Sequence, residues 1–204
     1  MALTKTQICN MALFHLGMSK EIANVDSTSE TSEEARTMRV FWDVAKEEAL
    51  SQYAWPFARK VAALGLVEED PTDEWAYSYT YPSDCAVITK IQSGLRLDTR
   101  QSIIPFEVAS DEDTKLIYTD LEDAVCEYTR NLSSTALFIP EFSIALSYLL
   151  ASYAVPKLSK GDPMKAKAGL EQLFRMKISK AIAKCANEEV QDIPNDAEMI
   201  RGRE

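Results

Sequence analysis

Apolar residues in the segment 31–60 recur at steps of three and four positions, which places them on one face of a helix. The members of this face are Ala35, Met38, Phe41, Trp42, Ala45, Ala49 and Tyr53. Thr31 and Glu34 have the T-x-x-E spacing of a capping box, and Pro56 prevents a helix from continuing through this point. The pattern predicts a helix over about residues 32–53. We expect Trp55 and Phe57 to be buried where this helix meets the next region.

A first helix is predicted over residues 4–16. Thr4 and Gln7 form a second capping box, and Gly17 supplies the left-handed residue that ends many helices. Helical spacing is lost after Ala58, where short runs rich in β-branched and aromatic residues alternate with turn signals. These runs are residues 61–67, 75–81, 86–91, 103–108, 115–119 and 125–130. Five or six such strands predict a compact antiparallel sheet or a small sandwich.

Helical spacing returns after Pro140, with a segment that is apolar nearly all round and therefore belongs in the centre of a helical bundle. Asp162 followed by Pro163 is an N-cap with proline at the first helical position. The helix that they open should run to about Asn187. Its predicted buried stripe is Leu170, Phe174, Ile178, Ile182 and Cys185.

Together these elements predict an α+β fold. The two N-terminal and two C-terminal helices should combine into a four-helix bundle, formed by residues 1–57 and 140–187. Residues 58–139 would be a β insertion in that bundle. Residues 188–204 have no apolar period and are predicted to be an extended C-terminal arm.

Residue types with chemical roles are sparse. His15 is the only histidine, the four cysteines are scattered, and no phosphate-binding glycine loop or nucleophile-elbow motif is present. His15 lies on the same helix face as apolar residues and is predicted to be a packing or interface residue. We therefore expect no enzyme activity, no cofactor and no metal. Since no signal peptide is recognised, the cysteines are expected to be free thiols in a reducing compartment. The most apolar run, residues 137–156, offers about fifteen helical residues where a membrane span needs about twenty.

The charge is unevenly distributed along the chain, whose formal net charge is −10. Residues 57–156 carry 7 basic and 16 acidic side chains, whereas residues 157–184 carry 8 basic and 2 acidic ones. One interpretation is a set of solvated helix faces. The other is a subunit that pairs head to tail with copies of itself through an acidic middle and a basic helix. Strong nucleic-acid binding is disfavoured, because an acidic protein gains little from counterion release.

Two groups of residues are predicted to bind partners. The first is on the basic helix and consists of Lys177, Lys180 and Lys184. The second is in the arm, where apolar and basic side chains occur within a polar segment. Its members are Val190, Ile193, Pro194, Met199, Ile200, Arg201 and Arg203. The Ile193-Pro194 pair favours an extended segment that can lie in a groove.

Four segments, in order along nearly the whole chain, resemble the tail tubular protein A family of short-tailed bacteriophages. The family comprises head-to-tail adaptors, or connectors. The segments are the opening helix that ends in Leu16-Gly17, the helix that enters Tyr53-Ala54-Trp55-Pro56-Phe57-Ala58, the turn Tyr81-Pro82-Ser83-Asp84-Cys85, and Phe138-Ile139-Pro140-Glu141-Phe142 with the helix that follows it. The ending Ile200-Arg201-Gly202-Arg203 is also similar.

The resemblance implies a structural virion protein without enzyme activity or cofactor. It is made in the host cytoplasm and located at the head–tail interface. The family forms a ring, expected to be twelve-fold, with the portal protein on one face and the tail nozzle protein on the other. DNA passes through the channel without specific binding, and no membrane is involved. The family's C-terminal region reaches the portal, so the arm is expected to dock on the portal or on an adjacent adaptor.

Two other interpretations remain open from the sequence. A peptidoglycan-degrading tail protein would need two carboxylates flanking the scissile bond, and Glu33, Glu34, Glu47 and Glu48 offer acids on one helix. A turbidity assay on cell walls distinguishes a peptidoglycan-degrading protein from a structural one. A cytoplasmic helical binding module would instead form a stable complex with a small host protein or ligand and would not associate with virions.

Overall fold

The computed structural model describes residues 2–93, 104–111, 114–159 and 161–188, and within these ranges the chain is α+β. The helices are α1 (Lys5–His15), α2 (Glu33–Ser51), α3 (Pro140–Leu158) and α4 (Pro163–Glu188). The strands are β1 (Arg59–Ala63), β2 (Leu66–Thr72), β3 (Trp75–Thr80), β4 (Cys85–Gln92), β5 (Glu107–Asp111), β6 (Thr114–Thr119) and β7 (Val125–Arg130). Short 3₁₀ turns at Pro56–Ala58 and Thr135–Leu137 connect the helical and strand regions.

The ends of α1 confirm the capping prediction. The Gln7 amide donates to Thr4 Oγ1 at 3.3 Å, and the Thr4 amide donates to Gln7 Oε1 at 2.9 Å. Gly17 follows the helix with a φ of 75°, the left-handed conformation that favours glycine. Sequence spacing therefore locates both ends of this helix within about a residue.

The start of α2 differs from the prediction by one residue. Ser32, not Thr31, is the N-cap, since its Oγ accepts a hydrogen bond from the Ala35 amide at 3.4 Å. Serine and threonine are both good caps, so composition alone does not choose between neighbours. The predicted capping box between Thr31 and Glu34 is wrong, although the helix itself is present.

The predicted four-helix bundle is also wrong. A bundle requires each helix to bury one stripe against two neighbours, whereas here α1, α2 and α4 each pack mainly on α3. The reason lies in α3, which buries small residues on several sides and so lets three helices approach it closely. These small buried residues are Ser143, Ala145, Ser147, Ala151, Ser152 and Ala154. No helix in the described part of the chain, α3 included, is both long enough and apolar enough to cross a membrane.

The strands form two antiparallel sheets, with strand orders β1-β7-β4 and β2-β3-β6-β5. The predicted strand 61–67 is divided at Leu64 and Gly65, so that β1 and β2 belong to different sheets. Space is tight at this crossing, because a Cβ on Gly65 would lie 3.1 Å from Thr80 Oγ1. The predicted strand 103–108 instead begins at Glu107.

One core cluster joins side chains of both sheets: Tyr79, Ile91, Ile117, Ala124, Cys126 and Tyr128. A second and larger cluster is formed by the four helices, the loop between α1 and α2, and the Trp55 region. All helices of the described ranges lie outside residues 58–139 and all strands lie inside them. The predicted domain bounds, 1–57 with 140–187, 58–139 and 188–204, stay a prediction.

The junction between helices and sheets is built from aromatic rings. Trp55 is fully buried, and its ring centroid lies 5.0 Å from that of Phe142 and 5.4 Å from that of Phe57. Phe57 is only half-buried, and it also contacts Phe138 at 5.8 Å. The predicted burial of Trp55 at this junction is confirmed, while that of Phe57 is partial.

Candidate assembly interface

Helix α4 is held on the molecule by its buried stripe. Asp162 caps its start by accepting the Met164 amide at 3.0 Å, as predicted. The residues buried against α3 are Leu170, Phe174, Ile178, Ala181 and Cys185. Four of the five predicted members are therefore confirmed, and Ala181 takes the place of half-buried Ile182. The opposite faces of α4 are left exposed.

One exposed flank of α4 carries both apolar and basic side chains. Leu173, Met176, Lys177, Lys180 and Lys184 are spaced so that they share this flank, which we call the basic stripe. Leu173 is 38% exposed and Met176 is 52% exposed. The structure therefore brings the three predicted lysines together, beside two apolar side chains that sequence reasoning did not single out.

The three lysines of the basic stripe have different surroundings. Lys184 pairs with Glu141 at the start of α3, with 2.7 Å between Nζ and Oε1. The hydrogen bond in this pair raises the pKa of Lys184 and lowers that of Glu141. Lys180 is exposed and, within the described ranges, has no ion pair. Lys177 is half-buried. Lys184 is thus partly engaged within the chain, whereas Lys180 is exposed and unpaired among the described residues.

His15, the last residue of α1, packs on α3. Its ring stacks on Tyr148, with centroids 3.8 Å apart, and its Nε2 lies 3.0 Å from Ser147 Oγ. Since the Ser147 hydroxyl donates to the Ile144 carbonyl at 2.7 Å, Nε2–H of His15 is the donor to Ser147. Burial, followed by the charge of Lys177, lowers the pKa of His15. This serine is not arranged as a nucleophile, because its proton points away from the histidine.

A second exposed surface lies on β2, at one edge of the four-stranded sheet. Its first five residues, Leu66 to Asp70, are all exposed and form what we call the acidic edge: Leu66, Val67, Glu68, Glu69 and Asp70. Leu66 and Val67 are each 51% exposed. The sequence indicated an acidic middle region but not that these acids line an open strand edge beside exposed apolar side chains.

A groove of about 590 Å³ lies between α2 and α4, and α3 forms its floor. Its apolar lining includes Leu149, Phe174, Ile178 and Ile182. On one wall the Tyr153 hydroxyl donates to the Glu48 carboxylate, and this bond raises the pKa of Tyr153 to about 12. Sequence reasoning missed this groove, because it depends on the spacing of two helices that are distant along the chain.

Another cavity of about 590 Å³ lies beside the turn Tyr81-Pro82-Ser83-Asp84-Cys85, with Lys115 on its wall. The Lys115 ammonium lies 5.3 Å from the centroid of the Tyr81 ring. Burial raises the pKa of the Cys85 thiol, so this cysteine is not an activated nucleophile. Nothing in this lining resembles a catalytic arrangement.

The acids on α2 make structural contacts. Glu34 pairs with Lys20 at 3.0 Å, and Glu33 lies 3.6 Å from Lys157. Glu47 accepts a hydrogen bond from Asn131 at 2.6 Å. Backbone and lysine hydrogen bonds lower the pKa of Glu34, which is opposite to the raised pKa that a general acid requires. Among the described residues, no group of three or more His, Cys, Asp or Glu side chains is placed to hold a metal ion.

The predicted arm residues Val190, Ile193, Pro194, Met199, Ile200, Arg201 and Arg203 lie outside the described residues. The predicted docking role of the arm therefore stays a prediction. No protein-family model matches the chain, and no curated protein matches it significantly.

Proposed function

We propose that this chain is a head-to-tail adaptor of a short-tailed bacteriophage, a structural subunit that forms a ring between the portal and the tail nozzle. The observation that carries the proposal is the ordered set of four sequence segments that resemble this family. DNA would pass through the channel of the ring without specific binding, and the chain would have no enzyme activity.

Three of the four segments supply contacts that join elements of the fold, which supports reading the segments as a set. Trp55 and Phe57 of the second segment pack against Phe142 of the fourth segment in the aromatic junction. In the third segment, Asp84 accepts the Tyr128 hydroxyl at 2.7 Å and pairs with Lys60 at 2.8 Å.

The surfaces also suit a subunit that assembles with others. Exposed apolar side chains accompany the charges on the basic stripe and on the acidic edge, and such mixed patches are typical of interfaces. The overall acidity of the chain is compatible with a channel through which DNA must slide. We expect the free subunit to associate only weakly, and only at low salt, and to form rings when portal is present.

The direct test is binding to the portal ring of the phage that encodes this chain. Purified chain mixed with portal should give a complex that contains a ring of copies, resolved by electron microscopy and by mass. A chain that fails to bind portal and is not detected in purified virions would refute the adaptor function. A clearing of cell-wall suspensions by the purified chain would instead support the peptidoglycan-degrading alternative.

Reversal of the three stripe lysines should weaken the ring. We expect the variant with Lys177, Lys180 and Lys184 changed to Glu to stay folded but to assemble poorly on portal. The matched control changes Lys165, Lys167 and Arg175 to Glu elsewhere on the same helix. It alters the net charge equally, and Lys167 pairs with Glu171 at 3.8 Å as Lys184 pairs with Glu141. Normal ring assembly by the stripe variant at low and high salt alike would contradict this role.

Deletion of residues 188–204 tests the arm. The deletion removes the arm and the last residue of α4, but no member of the described core. The melting temperature should therefore stay nearly unchanged. Stable attachment to portal should be lost. Wild-type affinity of the truncated chain for portal would show that the arm is not the docking element.

A further inference from the structure

The basic stripe and the acidic edge are complementary in two respects. The stripe combines two exposed apolar side chains with lysines, and the edge combines two exposed apolar side chains with carboxylates. The β2–β3 hairpin adds Asp73 and Glu74 at its turn, and residues 66–75 contain no basic residue. Opposite charges around apolar contacts favour specific pairing of two surfaces.

The basic stripe and the acidic edge of one subunit do not contact each other. Helix α4 packs on α3, and in the described part of the chain it has no substantial contact with any strand. The acidic edge lies on the outer strand of the four-stranded sheet. A contact between them must therefore join two different copies of the chain.

We infer that the basic stripe of one copy docks on the acidic edge of the next copy. The inference rests on the proposed function only in that the resulting assembly is a ring. Because each copy presents two different surfaces, the contact is head to tail, and such contacts close into rings when the rotation between copies permits. It assigns Lys180 as the lysine that reaches the neighbour and Glu68 and Glu69 as its acceptors.

Other occupants are less well matched. A nucleic acid would meet the stripe but would be repelled by the strongly acidic remainder of the chain, whose net charge is −10. Acids on an edge strand can also serve only to prevent edge-to-edge aggregation. That explanation accounts for the carboxylates, but it does not account for Leu66 and Val67, which a purely protective edge would not expose.

The test uses the full chain and a charge swap. The two-site stripe variant carries Lys177→Glu and Lys180→Glu and leaves Lys184 unchanged. The edge variant carries Glu68→Lys and Glu69→Lys, and the swap variant carries all four changes. Weak self-association at low salt is measured by sedimentation equilibrium. We expect each two-site variant to associate at least about tenfold more weakly than the natural chain, and the swap variant to recover most of that loss.

A second measurement locates the contact. A carbodiimide cross-linker joins a lysine amine to a carboxylate only where the two groups touch. In a mixture of isotopically labelled and unlabelled chains, we expect a link between Lys180 of one copy and Glu68 or Glu69 of another. Since Lys177 is half-buried, the milder pair Lys180→Glu and Glu69→Lys repeats the swap if a two-site variant does not fold.

Control variants separate specific pairing from bulk charge. Lys165→Glu with Arg175→Glu matches the stripe variant, and Glu21→Lys with Asp111→Lys matches the edge variant, all at exposed positions. Association of the controls should stay close to that of the natural chain. Three results would overturn the inference: a natural chain that stays monomeric at low salt, a swap variant that associates no better than the two-site variants, or controls that weaken association equally.

These measurements of self-association do not require the portal protein, so they test the interface separately from the adaptor function. A chain that binds portal but shows no rescue in the swap variant retains the adaptor function and loses this interface. A chain that shows the rescue but never binds portal or virions retains the interface and loses the adaptor function.

Discussion

Replacement of Trp55 by alanine tests the aromatic junction that joins helices to sheets. Trp55 is fully buried and contacts the rings of Tyr53, Phe57 and Phe142 at centroid distances of 5.5, 5.4 and 5.0 Å. Its indole N–H donates to the Ala49 carbonyl at 3.1 Å, which fixes the end of α2 against the ring. The substitution therefore removes a buried volume, three ring contacts and a hydrogen bond.

Truncation of a buried aromatic residue to alanine costs about 3–5 kcal/mol of unfolding free energy. A domain of ordinary stability has only about 5–15 kcal/mol in total, so this loss should leave the variant marginally folded or insoluble. Trp55→Phe keeps most of the ring volume but loses the indole N–H. Because Ala49 O also accepts the Gln52 amide at 3.4 Å, we expect this milder change to cost about 1–2 kcal/mol.

Urea unfolding followed by far-ultraviolet circular dichroism measures these losses, and an unchanged slope confirms that the unfolded state is comparable. Trp75→Ala is the control, because Trp75 is half-buried and its indole N–H reaches only the exposed Glu107 at 3.2 Å. That change should cost about 1 kcal/mol or less. If Trp55→Ala unfolds at the same urea concentration as the natural chain, the junction does not stabilise the fold as described.

Two further predictions concern pH. The pKa of His15 lies below its usual value of about 6.5, so the unfolded state binds the extra proton and stability should fall as pH drops from about 6.5 towards the folded pKa. Nuclear magnetic resonance of this single histidine should show the lowered pKa, and Lys177→Met should raise it; a pKa at or above 6.5 would contradict the packing described. Hydrogen bonds from Lys60 and Tyr128 lower the pKa of Asp84, so its contribution is present above about pH 4 and is lost as pH falls through the folded pKa. Asp84→Asn should destabilise the neutral protein, and its difference from the natural chain in urea unfolding should shrink in acid; a constant difference across pH would contradict this.

Local signals predicted the helices well because caps and breakers act over a few residues. Thr4, Gly17 and Asp162 each satisfy backbone groups beside them, so their effect can be read without knowing the rest of the fold. The one-residue error at Ser32 arose where two equivalent caps are adjacent. The predicted ends of the strands were less accurate than those of the helices. The crossing at Gly65 is fixed by Thr80, fifteen positions away, and not by its own neighbours.

The arrangement of helices was not predictable from their apolar faces. The sequence indicated that α3 is buried nearly all round, and a central helix of a four-helix bundle satisfies that pattern as well as a helix that three others share. Which arrangement forms depends on how closely each helix approaches the small residues of α3, such as Ala151 and Ser152, and on the contacts of several segments at once. The groove between α2 and α4 follows from the same spacing.

For the candidate interface, the sequence determined the charges and the helical spacing that brings Lys177, Lys180 and Lys184 to one flank, because both properties are carried by residues close together along the chain. Only the tertiary structure decided which of these charges has an ion-pair partner among the described residues. Lys184 meets Glu141, 43 positions earlier, while Lys180 meets solvent. It also decided that the acids of β2 lie on an open edge, since strand order depends on pairings between distant segments that no local pattern encodes.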